Sequence, residues 1–448
     1  MRNEELLRQL HRYKFLILHS SFFIKQRVML LNYLKIAWKV LLRRKFFTFI
    51  SLFGISFTLM VMLVVMGVVN HVTGAHAPEK RIDQMLFVSF LRQGYKNGGN
   101  RNTPVSAHFI DRYVRTLKTP SMVALTSMTS SATSFANKES LTLDVRYTDG
   151  NYWKVTDFDF LDGRPFTVQE VSNADRVCVI NEHTARAFFG TTKGVNGRTV
   201  EIGPYRYRIT GVVPDVPVIR FYSSADVWVP YTLSTNFYKD NRLDGDFIAI
   251  LLAGSAGKEL PAMKAEFAQV MRRLEVPNPK EVAKVYAHAD PALSTIVREL
   301  TSHTKTEDDG MSIFLLGCSA LGLLFMLLPA LNLVNLNVTR ILERSSEIGV
   351  RKAFGASGGT LVGQFLVENL VLAGLGGLLG LGLAAGALHL LNGSHFIAYS
   401  HFSLSWWSFG WGMVLALVFG LMSGVYPAWK MSRLNPVDAL RGSGGGPQ

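Results

Sequence analysis

The chain has 448 residues, of which 48% are hydrophobic and 18% charged, with two cysteines. The apolar content is high for a soluble protein and the charged fraction is low, and the length allows two or three structural units. The formal net charge of +14 raises nucleic-acid binding, but the cations flank apolar runs instead of covering one surface, so no nucleic-acid partner is expected.

Taken in chain order, residues 1–45 form a basic cytoplasmic or interfacial amphipathic segment. Residues 1–28 read either as a genuine basic extension or as a mis-set start, with Met29 opening the better-patterned stretch. From 32 to 46, Leu34, Trp38, Leu41 and Leu42 alternate with Lys35, Lys39, Arg43 and Lys45 at helical spacing. This predicts a helix lying on the inner membrane face with its cations near anionic lipid. Residues 46–70 are the first of four apolar runs, the others being 312–338, 360–391 and 405–427. Each is long enough to cross ~30 Å of hydrocarbon as a helix. No small-residue cleavage site precedes the first run, which reads as a retained anchor.

Between the first two runs, residues 71–311 have a globular texture. Short β-rich stretches such as Arg176–Ile180 and Tyr207–Val213 are bounded by Gly, Pro, Asn and Asp. A helix is predicted over Glu182–Phe189, with Asn181 as N-cap and Gly190 as stop, and a second around Leu260–Leu274, with Met263, Phe267, Val270 and Met271 on one side. The polar run Thr301–Gly310 reads as a link back to the membrane. The fold class expected is a multi-pass α-helical membrane protein with four transmembrane helices and a large α+β extracytoplasmic domain inserted between helices 1 and 2.

Charge sets the orientation. Lys35 to Lys45 precede the first run; Arg340, Arg344, Arg351 and Lys352 lie between the second and third; Lys430, Arg433 and Arg441 follow the fourth. The 392–404 loop has no Lys or Arg. The positive-inside rule then puts both termini and residues 339–359 in the cytoplasm, and 71–311 and 392–404 outside. Trp406 and Trp407 mark the outer interface of the fourth span, Tyr426 and Trp429 the inner one.

The 339–359 segment is the most informative in the chain. Glu347 and Arg351 stand four apart in the favourable order for a helical ion pair. Ile348, Val350 and Phe354 supply apolar surface, Gly355 ends the helix and Ser357 caps the next. A short amphipathic helix tied to two spans is a place where a soluble partner can push.

Polar residues inside the spans come next. Asn332 and Asn335 lie one turn apart in the second span, and Glu368 in the first turns of the third. A carboxylate in hydrocarbon is costly, so Glu368 is either a contact that switches between states or an anchor to a neighbouring helix. Gly376 and Gly380, Gly382 and Gly386, and Gly420 and Gly424 are small-xxx-small pairs that allow close helix approach, between spans three and four or across a dimer. Cys178 and Cys318 cannot pair, and no Cys/His cluster has metal-ligand spacing. No G-x-x-x-x-G-K-[ST] run, catalytic Ser/His/Asp set or paired carboxylates occur, so no enzymatic activity and no cofactor are expected of the chain.

Glu343-Arg344-Ser345-Ser346-Glu347-Ile348-Gly349-Val350-Arg351-Lys352-Ala353-Phe354-Gly355-Ala356-Ser357 resembles the E-R-x-x-E-I-G-x-R-x-A-x-G-A-S motif of the FtsX-like permeases, the MacB-type branch of ABC transporters. Five stretches of the insert resemble that branch's periplasmic core domain: Phe160–Phe166, Val179–Gly190, Gly197–Val200, Ile209–Pro217 and Asp226–Pro230. Gln364–Glu368 and Arg433–Arg441 resemble its third-span and closing patterns. The resemblance implies a permease in the bacterial inner membrane. Its coupling helix, carried by Glu343, Arg344, Glu347, Ile348, Gly349, Arg351, Phe354 and Gly355, would dock on a separate ABC ATPase subunit. Two permeases, as a homodimer or as a heterodimer with a paralogue, would pass ATP-driven motion to the periplasmic domains and export a periplasmic or outer-leaflet substrate. A membrane-fusion protein and an outer-membrane factor would complete an efflux system. The alternatives are an envelope regulator of a cell-wall hydrolase or sensor kinase, against which the large insert argues mildly, and a lipoprotein-releasing permease.

Overall fold

Four helices are long and apolar enough to cross a membrane: Lys45–Thr73, Met311–Thr339, Gly358–Gly393 and Trp406–Pro427. The structure, a computed structural model, describes residues 33–432 except 40, 44, 137–138, 236–240, 255, 277, 344–348, 351–352, 355–356, 395–397 and 401. Those residues form two compact units. One takes in the chain up to 67, 319–389 and 403 onward; the other takes in 68–318 and 390–402. Residues 1–28 and the closing motif at 433–441 lie outside the described residues.

The helical unit is built on α1 (Lys45–Thr73), α7 (Met311–Glu343), α8 (Gly358–Gly393) and α9 (Trp406–Ser432). Ile55, Leu333, Leu372, Ala373 and Ala416 form one buried cluster, and Leu59, Leu63 and Ala384 another. Residues 33–39 and 41–43 are helical, with Ala37 and Leu41 buried and Leu34, Trp38 and Leu42 exposed. α9 continues through Pro427, with Trp406 and Trp407 exposed at its start and Tyr426 and Trp429 near its end. α7 stands apart: 6% of its apolar window is buried, against 28–33% for the others, so within one chain it finds little protein to pack on.

The second unit is a mixed sheet with helices. In chain order its elements are β1 (Met85–Val88), β2 (Leu91–Tyr95), β3 (Asn100–Thr103), β4 (Met122–Ser127), β5 (Ser130–Ala136), β6 (Glu139–Thr148), α2 (Tyr152–Thr156), β7 (Asp162–Gly163), α3 (Val168–Ser172), β8 (Val177–Asn181) and α4 (Glu182–Phe189). They are followed by β9 (Thr199–Ile202), β10 (Tyr205–Val213), β11 (Val227–Pro230), β12 (Phe247–Leu252), α5 (Leu260–Arg272), β13 (Val282–Ala287) and α6 (Ala292–Leu300). Among the described residues the large sheet runs β1-β12-β4-β6-β11-β8-β10-β7, with β5 on β6 and β9 on β10; β13-β2-β3 is separate. β8 pairs with β10 and β6 with β11 in parallel, and the other pairs are antiparallel. β8, β11 and β12 are buried at every position, which explains their continuous apolar runs.

Local chemistry accounts for the helices read from sequence. Asn181 Oδ1 accepts from Thr184 N at 2.9 Å, and Gly190 stops α4 at φ 70°. α5 begins with Pro at its first turn and buries Met263 and Phe267. Residues 301–310, the polar run read as a link, are held by Arg298. Buried Arg298 donates through Nη1 to the carbonyls of His303, Thr306 and Asp308 at 2.7–2.8 Å, while its Nε and Nη2 bond Asp290. The run is wound around one guanidinium.

Candidate functional site

The segment between α7 and α8 starts at Glu343, the exposed last residue of α7. Arg344, Glu347, Ile348, Arg351 and Gly355 lie outside the described residues. Of the rest, Gly349 is buried and Val350 exposed, and Phe354 N donates to Val350 O at 3.0 Å, one helical turn. Phe354 is 89% exposed, more than any other large apolar side chain described. A bare aromatic at the end of a helical turn is a common hot-spot residue. Ser357 Oγ accepts from Thr360 N at 3.3 Å and caps α8.

The polar residues named in the apolar runs differ in burial. Asn335 is exposed, its carbonyl accepting from Thr339 Oγ1 at 3.0 Å, and Asn332 is half-buried. The buried contact between α7 and α8 is instead Asn337 Nδ2 to Asn369 Oδ1, at 3.1 Å. Sequence reasoning missed both. The available signal was that Asn369 adjoins Glu368 and that Asn337 is the third Asn of the second run; which of three asparagines faces inward depends on the neighbouring helices. Glu368 is buried and accepts from Gln364 Nε2 at 3.1 Å, one turn back in α8.

The glycines divide into two groups. A Cβ at Gly376 would sit 2.8 Å from Ile55 Cγ2, and one at Gly380 would sit 2.9 Å from the Ser56 carbonyl, so this pair seats α8 on α1. At Gly420 a Cβ would meet Ala373 at 2.7 Å, and at Gly424 it would meet Asn369 Nδ2 at 2.5 Å, so this pair seats α9 on α8 and leaves room for the Asn369 amide. Gly382 and Gly386 have nothing within 4 Å.

The motif residues of the second unit are scaffold. Gly163 has φ +67°, and a Cβ there would lie 2.2 Å from Thr210 O. Arg164 forks onto Glu170 at 2.8 and 3.0 Å, and Glu170 closes a capping box with Thr167 at the start of α3. Arg164 chiefly, with the Thr167 amide, holds the Glu170 carboxyl down at about 2. Asp162 Oδ2 accepts from the amides of Val195 and Asn196, which lowers its pKa. Burial pushes the Cys178 thiol up and keeps it protonated and inert. Among the described residues no cluster of three or more His, Cys, Asp or Glu is placed to hold a metal ion.

One chain thus carries four helices long and apolar enough to cross a membrane, with a buried Asn337–Asn369 contact between two of them, and a mixed α/β domain. The MacB-like periplasmic core domain matches residues 48–270, and the FtsX-like permease C-terminal domain matches 319–436. The chain belongs to the FtsX/MacB-type ABC permeases, membrane proteins with a periplasmic domain. It is 25% identical over 353 residues to YknZ of Bacillus subtilis (strain 168), an uncharacterized ABC transporter permease, covering 76% of this chain and 81% of that one. It is 28% identical over 319 residues to the macrolide export ATP-binding/permease protein MacB of Sodalis glossinidius (strain morsitans), covering 70% of this chain and 45% of the relative. The chain thus spans less than half the length of that MacB. The solved periplasmic region of MacB from Actinobacillus actinomycetemcomitans aligns with 50% of this chain and 94% of its own, at 16% identity and a TM-score of 0.35.

Proposed function

We propose that the chain is the membrane subunit of an ABC system whose ATPase is a separate protein, and that it works by mechanotransmission. The observation that best supports this is Phe354, 89% exposed on the short connection between α7 and α8, within the FtsX-like match. In this reading α1, α7, α8 and α9 span the membrane, both termini and the 339–359 connection are cytoplasmic, and residues 71–311 and 392–404 are outside. The connection docks on the ATPase. Closure of the nucleotide-bound ATPase dimer moves two permease copies, identical or paralogous, and the helices carry the motion to the outer domain, which expels a periplasmic or outer-leaflet substrate. The chain supplies no catalytic group to hydrolysis; its part is to grip, transmit and present a surface to outer partners.

The test is a triple variant, Glu347→Ala, Arg351→Ala and Phe354→Ala. The helical pair that the spacing of Glu347 and Arg351 predicts is worth only about 0.2–0.5 kcal/mol, so insertion and folding persist without it. Loss of the docking side chains weakens ATPase binding by about 2 kcal/mol or more, roughly 30-fold, and the ATPase no longer co-purifies. Undiminished co-purification with full transport would show the connection to be a plain loop.

A further inference from the structure

Residues 214–226, between β10 and β11, hold together parts of the second unit that are far apart in sequence. The loop is fixed to the sheet at several points, Asp226 N donating to Asp144 O of β6 at 2.8 Å among them. Tyr222 is buried and stacks on Phe87 of β1 with ring centroids 3.9 Å apart, and its carbonyl accepts from Tyr152 Oη of α2 at 3.2 Å. Arg146 of β6 is fully buried and, among the described residues, forms no salt bridge with a carboxylate. It donates through Nη2 to Phe221 O at 2.8 Å and to Ser224 O at 3.0 Å, and through Nη1 to Ser127 O of β4. Within the loop, the Arg220 carbonyl accepts from Ser223 N at 3.0 Å and Ser224 N at 2.8 Å, so Arg220 rides on a closed turn.

From that turn the Arg220 side chain, 1% exposed, reaches back to the end of α1. Nη1 donates to Glu79 Oε2 at 2.8 Å and Nη2 to Gly74 O at 2.9 Å. Gly74 follows the last residue of α1, and its amide donates to Asn70 O at 2.8 Å. The same loop reaches the connection between α8 and α9, Val218 N donating to Ala398 O at 3.4 Å. Next to it, Asp215 Oδ1 accepts from His183 N at 2.8 Å, and the His183 ring lies 5.8 Å from that of Tyr399.

Separating a buried ion pair strands charge away from water, which is strongly disfavoured. A guanidinium fork that bonds a carboxylate and a carbonyl together also fixes orientation, which a single contact does not. The end of α1, the 214–226 loop and the middle of the sheet at β4 and β6 are thereby tied together. α1 itself runs from the helical unit into this one at residue 68.

We propose that residues 214–226 are the latch that delivers displacement of α1 and of the α8–α9 connection to the β-sheet, with Arg220 as its positioning residue. The proposal rests on the mechanotransmission reading. It is tested on the full chain with its ATPase in lipid nanodiscs, by hydrogen exchange with and without ATP plus vanadate. The principal variant is the pair Arg220→Met with Glu79→Leu, which removes both charges together and leaves neither stranded. In the parent protein, nucleotide trapping changes exchange in β6, β8 and β10 by about fivefold or more, the range of ordinary coupling between sites. In the pair variant the ATPase still binds and turns over, residues 68–74 still respond, and the change in the sheet falls below about twofold, under that range. A parent-like response in the sheet overturns the latch. A parent protein that binds the ATPase and turns over ATP with no response in the sheet overturns mechanotransmission, and the latch with it. Should the pair variant unfold, Arg220→Lys retains the charge but lacks the fork. It is expected to respond more weakly than the parent, and an undiminished response overturns the proposal equally.

Discussion

Two glycines on one helix, two residues apart, are expected to answer oppositely to the same methyl group. A Cβ at Gly380 would lie 2.9 Å from Ser56 O, 3.1 Å from Leu59 Cβ and 3.3 Å from Ser56 Cα. The first is backbone and Leu59 is 1% exposed, so nothing there can swing aside. Restoring ordinary contact means shifting α8 away from α1 by several tenths of an ångström along a packed seam, an overpacking cost of about 1–3 kcal/mol. Replacing Gly by Ala in a helix returns about 1 kcal/mol, so Gly380→Ala is destabilised by roughly 0–2 kcal/mol. Gly382→Ala meets nothing within 4 Å and collects only the helix-propensity gain. The two variants should therefore differ by about 1–3 kcal/mol. Tryptophan fluorescence during unfolding in mixed detergent micelles reads the difference, because Trp406, Trp407, Trp411 and Trp429 all lie in α9. Equal stability of the two alanine variants would refute the packing of α8 on α1.

Two further outcomes follow from the polar contacts. With its folded pKa lowered from 4.5 to about 2 by Arg164, Glu170 contributes stability that is present above pH 4.5 and lost as the pH falls towards 2. Because Arg164 is half exposed, the contribution is about 1–2 kcal/mol after screening, and Glu170→Gln should flatten the acid limb of unfolding over that window; parallel limbs for the two proteins would refute it. Asn369→Leu strands the Asn337 amide inside the bundle, and a double-mutant cycle with Asn337→Leu should return a coupling of about 0.6–1.7 kcal/mol, a coupling of zero meaning that the pair is not formed in the membrane.

The elements that sequence disclosed are those whose cause is local. The four apolar runs lie within α1, α7, α8 and α9 because helix length and hydropathy are properties of the segment itself. Asn181 and Gly190 bound α4 because a cap and a left-handed stop act within a turn. The strands read at Arg176–Ile180 and Tyr207–Val213 correspond to β8 and β10, but their parallel pairing could not be read, since it depends on what packs across the sheet. At the candidate sites the limits have the same origin. Exposure of Phe354 follows from its position on a short connection, whereas the choice of Asn337 over Asn332 and Asn335 is set by the azimuth of α7 against α8. Arg146 and Arg220 gave no sequence signal at all. An arginine is ordinarily a surface residue; carbonyls of the 214–226 loop and of β4 make Arg146 interior, and the Glu79 carboxylate with the Gly74 carbonyl makes Arg220 so.

The pairing of β1 with β12, Met85 opposite Leu252, governs how the chain must be made. The first strand of the large sheet waits for a partner that the ribosome adds only after nearly the whole unit has been synthesised. Such distant closure is slow and leaves unpaired edges exposed meanwhile. Under the proposed topology those edges emerge on the far side of the membrane, while α7, α8 and α9 are still to be inserted. Premature arrest anywhere before residue 252 yields a tethered, open sheet, which envelope proteases are placed to remove.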